Sequence, residues 1–336
     1  MSQPLNIVVL VDPVTIPSDD PHFTRQPDKP ITEYHVCEAL RLLGHRVTVQ
    51  GAEYDIAAVT QALTDESPDL VFNLTEQFCG DRRLDKNIAA LLELLDIPFT
   101  GAGAMGLMLA RDKGLCKQIL TLHKIRVPNF IALHHQRAIR IPRNLPYPMV
   151  VKPAFEDSSE GLSNASVVYD GAALSERAAF IHERWKQPAI AEEYIEGREL
   201  YVSVLGNRRL TVLPPRECSF NAEDDQGPVI LTYRCKWDDD YREKWKIDFG
   251  FAELDGAVLK RIERVCKRAY RALQLQDYGR MDLRLTPDEK LVILEANPNP
   301  DIAYGEEVAE AAERIGINYE SLIARIVSLA LRRYRQ

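Results

Sequence analysis

The first hundred residues alternate between short apolar runs and segments whose apolar positions recur at helical spacing. Helices are predicted from Thr32 to about Leu43, with Thr32 as N-cap and Gly44 as the stop, and over residues 87–95. Strands are predicted over residues 5–12, 45–50, 69–74 and 97–101. This alternation predicts a small parallel sheet with helices on both of its faces.

The rest of the chain mixes strands and helices without an internal repeat. Helices are predicted over residues 104–125, about 172–186, about 252–273 and 319–334. Strands are predicted over residues 149–154, 165–169, 188–195, 199–207, 209–215, 278–285 and 291–298.

Composition narrows the class of protein. A chain of 336 residues is long enough for two or three domains. The formal charge of −8 and the lack of a basic tract argue against nucleic acid or an anionic membrane as a partner. No long apolar run or signal pattern is present, so a cytoplasmic protein is expected. Six scattered cysteines without C-x-x-C predict reduced thiols rather than disulfides or a zinc site.

A hairpin near the C-terminus carries polar side chains at the end of an apolar strand. If Leu285 pairs with Val292, the same register sets Asp282 opposite Glu295. Side chains alternate faces along a strand, so Asp282, Glu295 and Asn297 then share one face. Hard oxygen ligands in small number, completed by water and phosphate, suit Mg²⁺.

The same register sets Arg280 opposite Asn297. An ion pair between Arg280 and either Glu295 or Asp282 is an alternative interpretation of the cluster. The hairpin alone leaves both interpretations open.

Two further stretches combine strand ends with polar groups. Lys152 ends an apolar strand and is followed by the loop FEDSSEGLS (155–163), whose hydroxyl and N–H groups can cradle phosphate oxygens. Because G-K-[ST] is absent, a plain surface hairpin is the alternative. In AIAEEYIEGREL (189–200), the apolar linker can meet an adenine edge and Glu199 can accept ribose hydroxyls; an amphipathic edge strand is the alternative.

The order of these motifs resembles that of the ATP-grasp superfamily, and within it the D-alanine–D-alanine ligase-like carboxylate–amine ligases. The similarity spans roughly residues 70–330 and is strongest in VVKPAFEDSSEGLS, EEYIEGRELYVSVLGN, YGRMDLRL and LEANPNP. It implies an α/β (α+β) ATP-grasp fold of three domains. The implied parts are a Rossmann-like N-terminal domain (1–104) and two α+β subdomains (105–190 and 191–336) that sandwich ATP.

The resemblance also implies roles for individual residues. It implies contacts of Lys113 and Lys152 with ATP phosphates, and a loop with Ser158 and Ser159 that closes over them. The implied nucleotide contacts are Glu192, Tyr194 and Ile195 on the adenine side and Glu199 on the ribose, and the implied ligands of two Mg²⁺ ions, or Mn²⁺, are Asp282, Glu295 and Asn297. The implied catalytic residues are Arg280, which stabilises the acyl phosphate and the tetrahedral intermediate, Ser158, and Lys236, which lies beside Trp237 in the lid segment TYRCKWDDDY.

The implied reaction has two steps. A small-molecule carboxylate attacks the γ-phosphorus of ATP to give an acyl phosphate and ADP, and an amine then displaces phosphate to form an amide. Phosphoryl transfer asks for positioning and charge neutralisation rather than a protein nucleophile. By analogy with the family, a homodimer is expected.

The chain departs from the family where substrates bind. In place of the family's Gly-Ser-Glu motif, whose glutamate holds an amine, this chain has VDPVTIPSDDPHF (11–23). Glu33, or an aspartate of this loop, is a candidate substitute. In NLTEQFCGDRRLDKN (73–87) only Asp85 matches the family. The new charges of that segment, predicted to face the substrate cleft, are Glu76, Arg82 and Arg83.

Two acids follow the hairpin. Asp301 replaces a family glycine, and Glu306 lies near a family serine that binds the acceptor's carboxylate; both would repel a small amino-acid carboxylate. The alternative is that Asp301 caps a turn and Glu306 begins a helix. We hypothesise a ligase for substrates other than two D-alanines, with a cationic acceptor. A true D-alanine–D-alanine ligase, a nucleotide-binding pseudoenzyme and a kinase releasing a phosphorylated acid are the alternatives.

Overall fold

The computed structural model describes residues 3–27, 31–157, 160–220, 230, 240, 243 and 247–334. Its described strands form three sheets, and the sheets follow one another along the chain. The division into domains at residues 104 and 190 stays a prediction.

The first sheet is parallel, as predicted, with the strand order β2-β1-β3. Its strands are β1 (Asn6–Val11), β2 (Arg46–Gly51) and β3 (Leu70–Asn73). The helices of this region are α1 (Thr32–Leu42), α2 (Ile56–Glu66) and α3 (Asp85–Leu94). The predicted strand over 97–101 is wrong, since Phe99 makes only an isolated parallel bridge to Val71. The N-cap of α1 is Ile31, not Thr32, whose hydroxyl instead donates to Asp301 at 2.6 Å.

The second sheet is antiparallel, with the order β4-β7-β5-β6. Its strands are β4 (Phe130–Leu133), β5 (Met149–Pro153), β6 (Val167–Val168) and β7 (Ala189–Glu193). Helix α6 (Gly171–Trp185) packs its apolar face on this sheet. Because β7 lies between two strands, the edge-strand alternative for residues 189–193 is wrong.

The third sheet has the order β11-β10-β8-β12-β13, with β9 beside β8. Its strands are β8 (Arg198–Gly206), β9 (Leu210–Val212), β10 (Arg216–Phe220), β11 (Ile247–Phe251), β12 (Tyr278–Leu285) and β13 (Leu291–Asn297). Helix α7 (Gly256–Ala272) shares the core of this sheet. Helices α8 (Glu307–Glu313) and α9 (Tyr319–Tyr334) return to the first region, where α9 packs with α1.

One predicted helix is two helices in the structure, α4 (Ala104–Arg111) and α5 (Lys113–Leu122). Asp112 is extended (φ −77°, ψ 101°), and its carboxylate accepts the N–H groups of Gly114 and Leu115 at 2.9 Å. An aspartate in this position satisfies the unpaired N–H groups of a new helix. The prediction of one continuous helix was wrong because apolar spacing continues through a capping side chain.

Within the described ranges, no helix is long and apolar enough to cross a membrane. Cys37, Cys79, Cys116 and Cys266, which lie in the described part of the chain, are free.

Candidate active site

The start of α5 brings two lysines into the interior. Lys113 and Lys117 are one helical turn apart and therefore share a face of the helix, and both are buried. Lys113 Nζ lies 2.9 Å from Glu295 Oε1 on β13. Lys117 Nζ lies 2.8 Å from Glu192 Oε1 on β7, and Lys152 Nζ on β5 lies 3.1 Å from the other oxygen of Glu192.

These five residues form a largely buried group of three cations and two anions. Burial alone would raise the pKa of Glu192, but Lys117 and Lys152 outweigh it and the pKa is lowered. For Glu295, burial is likewise outweighed by Lys113 and Lys152, and the pKa falls to about 2. Burial lowers the pKa of Lys113, whereas Glu192 and Glu295 raise that of Lys152 in spite of its burial. Both carboxylates are therefore ionised at neutral pH.

The pairing of β12 with β13 is irregular, and this irregularity determines which side chains face each other. The predicted pair of Leu285 with Val292 is wrong, since Leu285 pairs with Leu291. A β-bulge then shifts the register between Asp282 and the next residue. Beyond the bulge the predicted partners are confirmed: Asp282 pairs with Glu295, and Arg280 with Asn297.

The predicted metal ligands lie next to an arginine. Arg280 Nε donates to Asp282 Oδ1 at 2.8 Å, and Asn297 Nδ2 donates to Asp282 Oδ2 at 3.0 Å. Arg280 also donates to Glu307 at 3.1 Å. The ion pair of Arg280 with Asp282, one of the alternatives from the sequence, is thus present, and Glu295 pairs with Lys113 instead.

The donor set fits Mg²⁺ by its chemistry. Asp282 and Glu295 offer carboxylate oxygens and Asn297 an amide oxygen, which are the hard ligands that Mg²⁺ prefers. All three line one cavity together with Lys113 and Lys152. Over the described residues, no group of three or more His, Cys, Asp or Glu side chains is placed to hold a metal ion. Two carboxylates and one amide supply only part of the coordination of Mg²⁺, which water and phosphate oxygens would complete.

The cavity has a volume of about 110 Å³ and lies between the second and third sheets. Tyr194, Ile195 and Glu199, predicted to contact the nucleoside, also line it. Glu199 accepts a hydrogen bond from Tyr201 at 2.9 Å and pairs with Arg284 at 2.5 Å. The backbone N–H of Tyr194 donates to the carbonyl of Pro148 at 3.0 Å.

A second cavity of about 620 Å³ adjoins the first, and Arg280 and Asn297 line both. Glu76 and Arg82, which were predicted to face the substrate cleft, lie on its wall, and so does Asp85. Arg83 does not line it, so its prediction was wrong. The side chain of Arg83 turns back to Asp81, with Nε 2.8 Å from Oδ1.

The two acids after the hairpin also line the larger cavity. Asp301 accepts the N–H of Ala303 at 2.8 Å, and Glu306 is the N-cap residue of α8. Both features match the alternative in which Asp301 caps a turn and Glu306 begins a helix. Asp301 lines the cavity and accepts this turn hydrogen bond, whereas Glu306 lines the cavity from the N-cap position without a side-chain capping hydrogen bond.

Arginines join the two sides of the cavity. Arg111 at the end of α4 pairs with Asp85 of the first region and with Asp157 of the loop after β5. Arg82 approaches Glu76 at 3.8 Å and Asp157 at 3.9 Å. The loop that follows Lys152 is therefore tied to the substrate side of the cleft.

Four predicted site residues lie outside the described residues: Ser158, Ser159, Lys236 and Trp237. Other residues of the site were not predicted, namely Lys117, Arg111, Tyr201 and Arg284. Lys117 carried a usable signal, because it follows Lys113 by one turn in KGLCK. The others are recognisable only through partners that are distant in the sequence.

Comparisons with known proteins identify relatives of this chain. A family model described as D-ala D-ala ligase C-terminus matches residues 119–328, more than half of the chain. The D-alanine–D-alanine ligase of Bordetella petrii is 33% identical over 251 residues, covering 73% of this chain and 72% of that protein. An uncharacterized protein of Sinorhizobium fredii, y4sG, is 30% identical over 318 residues, covering 92% and 91%.

Solved structures show the same fold. The crystal structure of D-alanine–D-alanine ligase from Bacillus anthracis complexed with ATP superposes with a TM-score of 0.77 at 20% identity, covering 98% of this chain and 99% of that one. The predicted ATP-grasp fold is thereby confirmed. With the family match over the C-terminal part, the chain belongs to the D-alanine–D-alanine ligase family of ATP-grasp ligases.

Proposed function

We propose that this protein is an ADP-forming carboxylate–amine ligase that works through an acyl phosphate. The observation that supports this most is the pair of adjoining cavities with Arg280 and Asn297 on both walls. A nucleotide in the smaller cavity and a carboxylate in the larger one would meet at these two side chains. Transfer of a phosphoryl group requires such a meeting point.

In this proposal the basic residues neutralise charge. Lys113 and Lys152 bind phosphate oxygens, and both are buried, where a cation interacts more strongly with an anion than it does in water. Arg280 lies where negative charge develops on the reacting group, held in orientation by Asp282 and Glu307. Mg²⁺ held by Asp282, Glu295 and Asn297 would supply further charge neutralisation.

We assign binding of the nucleoside part of ATP to residues on β7 and β8. Glu192 is ionised and fixed by Lys117 and Lys152, and so offers acceptors at a defined place. Glu199, fixed by Tyr201 and Arg284, offers acceptors for ribose hydroxyls. Neither carboxylate needs to reorganise when a nucleotide enters.

We further propose that the substrates are amino acids or small peptides other than two D-alanines. The support is the acidic character of the larger cavity, where Glu76, Asp301 and Glu306 all contribute to the wall. Asp12 accepts the N–H of Glu76 at 3.3 Å, and Glu33 interacts electrostatically with Glu76 and Asp301. A cationic group on one substrate would be attracted to this wall, whereas a small free carboxylate would be repelled.

The test is Mg²⁺-dependent ADP release across a matrix of D- and L-amino acids and small peptides, alone and in pairs, with mass detection of any amide. A pair that gives ADP and an amide above either component identifies the substrates. Glu295→Gln should be silent. Its matched control is Glu289→Gln, on the exposed turn of the same hairpin, which should retain activity.

Each other outcome points to a different alternative. Efficient formation of D-alanyl-D-alanine would refute the proposed substrate class and leave the reaction type intact. ADP release with a stable acyl phosphate would indicate a kinase. Silence across the matrix with nucleotide binding intact would contradict the amino-acid ligase.

A further inference from the structure

The β-bulge in the site hairpin decides which face the predicted metal ligands occupy. At the turn end, Leu285 pairs with Leu291 and Leu283 with Ile293. If that register continued, Glu295 would oppose Met281, which is completely buried in the core on the other face of β12. Leu294 is one extra residue in β13, and it shifts the register so that Glu295 pairs with Asp282 and lies on the same face of the sheet as Asp282.

The bulge lies at the cavity wall. Leu294 and Glu295 both line the cavity, so the inserted residue and the predicted metal ligand are neighbours at the site. A bulge is locally disruptive to the ladder. Its position along β13 therefore needs support from elsewhere in the structure.

Lys117 contacts this bulge. Its Nζ donates to the carbonyl oxygen of Leu294 at 2.6 Å and pairs with Glu192 at 2.8 Å. The side chain is only 2% exposed, so the ammonium depends on these protein partners in place of water. Unlike Lys113 and Lys152, Lys117 does not line the nucleotide cavity.

We propose that Lys117 is a positioning residue that holds the bulge at Leu294 and the carboxylate of Glu192 in place, and so keeps Glu295 and Asn297 on the cavity face. One buried ammonium thereby ties α5, β7 and β13 together at the site. Lys117 acts through these partners and not by touching a ligand. This inference rests on the proposed function, because it concerns the metal-binding role assigned to Glu295.

The experiment compares the calorimetric affinity for ADP with and without Mg²⁺ in the full-length protein. The ratio of the two affinities is the Mg²⁺-dependent gain. Lys117→Met keeps the aliphatic stem and removes the charge, and Lys260→Met makes the same change at an exposed helical position. Loss of a residue that orients metal ligands typically weakens metal binding by about 10- to 100-fold.

We expect Lys117→Met to lower the Mg²⁺-dependent gain by at least about 10-fold and Lys260→Met to leave it unchanged. Glu192→Gln should weaken ADP binding about equally with and without Mg²⁺, which separates the nucleoside contact from the bulge. A purely structural lysine would change the thermal midpoint and leave the gain intact. Lys117→Gln, which keeps a buried N–H donor, replaces Lys117→Met if that variant does not fold.

A variant at Lys117 that folds and retains the wild-type gain overturns the inference. A wild-type protein without any Mg²⁺-dependent gain contradicts the proposed function itself. The two failures are therefore distinguishable in the same titrations.

Discussion

Asp12 makes the stability of this protein depend on pH in an unusual direction. It follows β1, is only 5% exposed, and its Oδ1 has no hydrogen-bond partner within the described part of the chain. Burial, with the charges of Glu76 and Glu33 added to it, raises the pKa of Asp12 from 3.8 to about 7, although N–H groups of residues 76 and 77 work against the rise. The folded protein therefore favours the neutral acid.

The sign of the effect follows from proton binding. Between pH 4 and 7 the unfolded chain has released the proton of this group and the folded state retains it, so the free energy of unfolding falls as pH rises. Above the folded pKa the loss is complete. At about 1.4 kcal/mol for each unit of pKa, the interval from 3.8 to about 7 corresponds to a loss of about 4 kcal/mol.

Asp12→Asn removes this titration and keeps the shape of the side chain. Urea unfolding at pH 5 and pH 8 should show the variant gaining about 3 kcal/mol relative to wild type between the two conditions. Asp19→Asn, at an exposed position in the same loop region, is the control and should follow wild type. If Asp12→Asn and wild type change in parallel with pH, the burial argument for Asp12 is refuted.

Three further substitutions test other parts of the site. Asp112→Ala should lower the free energy of unfolding by about 1 kcal/mol through loss of the N-cap. It should also weaken ADP binding in calorimetry, because the adjacent lysine lines the cavity. The control, Asp55→Ala at the N-cap of α2, should lower the free energy of unfolding without a change in ADP binding. Glu199→Gln should reduce the preference for ATP over 2′-deoxy-ATP, measured as a ratio of dissociation constants, and an unchanged ratio would contradict the ribose contact. Arg82→Ala should raise the KM of the carboxylate or amine substrate whereas Arg83→Ala should not, since only Arg82 lines the larger cavity; equal effects would contradict that assignment.

Elements with strong periodicity were predictable from the sequence. The helix over 319–334 and the strand over 278–285 have the bounds that were predicted, because an apolar stripe or a run of buried positions defines each along its whole length. The parallel first sheet followed from the alternation of such runs. The break at Asp112 was not predicted, because a capping aspartate does not interrupt the apolar spacing.

The hairpin shows why a face can be predicted when a pairing is not. The predicted register gave the correct partners for Asp282 and Arg280 although its starting pair, Leu285 with Val292, does not exist. Two errors cancelled. The register at the turn differs from the predicted one by one residue, and the bulge at Leu294 shifts the register back by one residue. Because side chains alternate faces, a shift of the register by one residue moves each of them to the opposite face. The apolar pattern of LVILEANP does not reveal whether a residue has been inserted.

Residues that bind ligand and residues that position them differ in how visible they are in a sequence. The groups proposed to touch nucleotide or metal lie in short motifs, because strand ends deliver several of them to one place. Lys117 reaches Leu294 across 177 residues of chain, and Arg111 reaches Asp157 across 46. Their roles depend on partners brought close only by folding, and a buried charge must find such partners or pay heavily in desolvation. Contacts of buried charges are therefore the observations through which the structure adds most to a motif-based assignment.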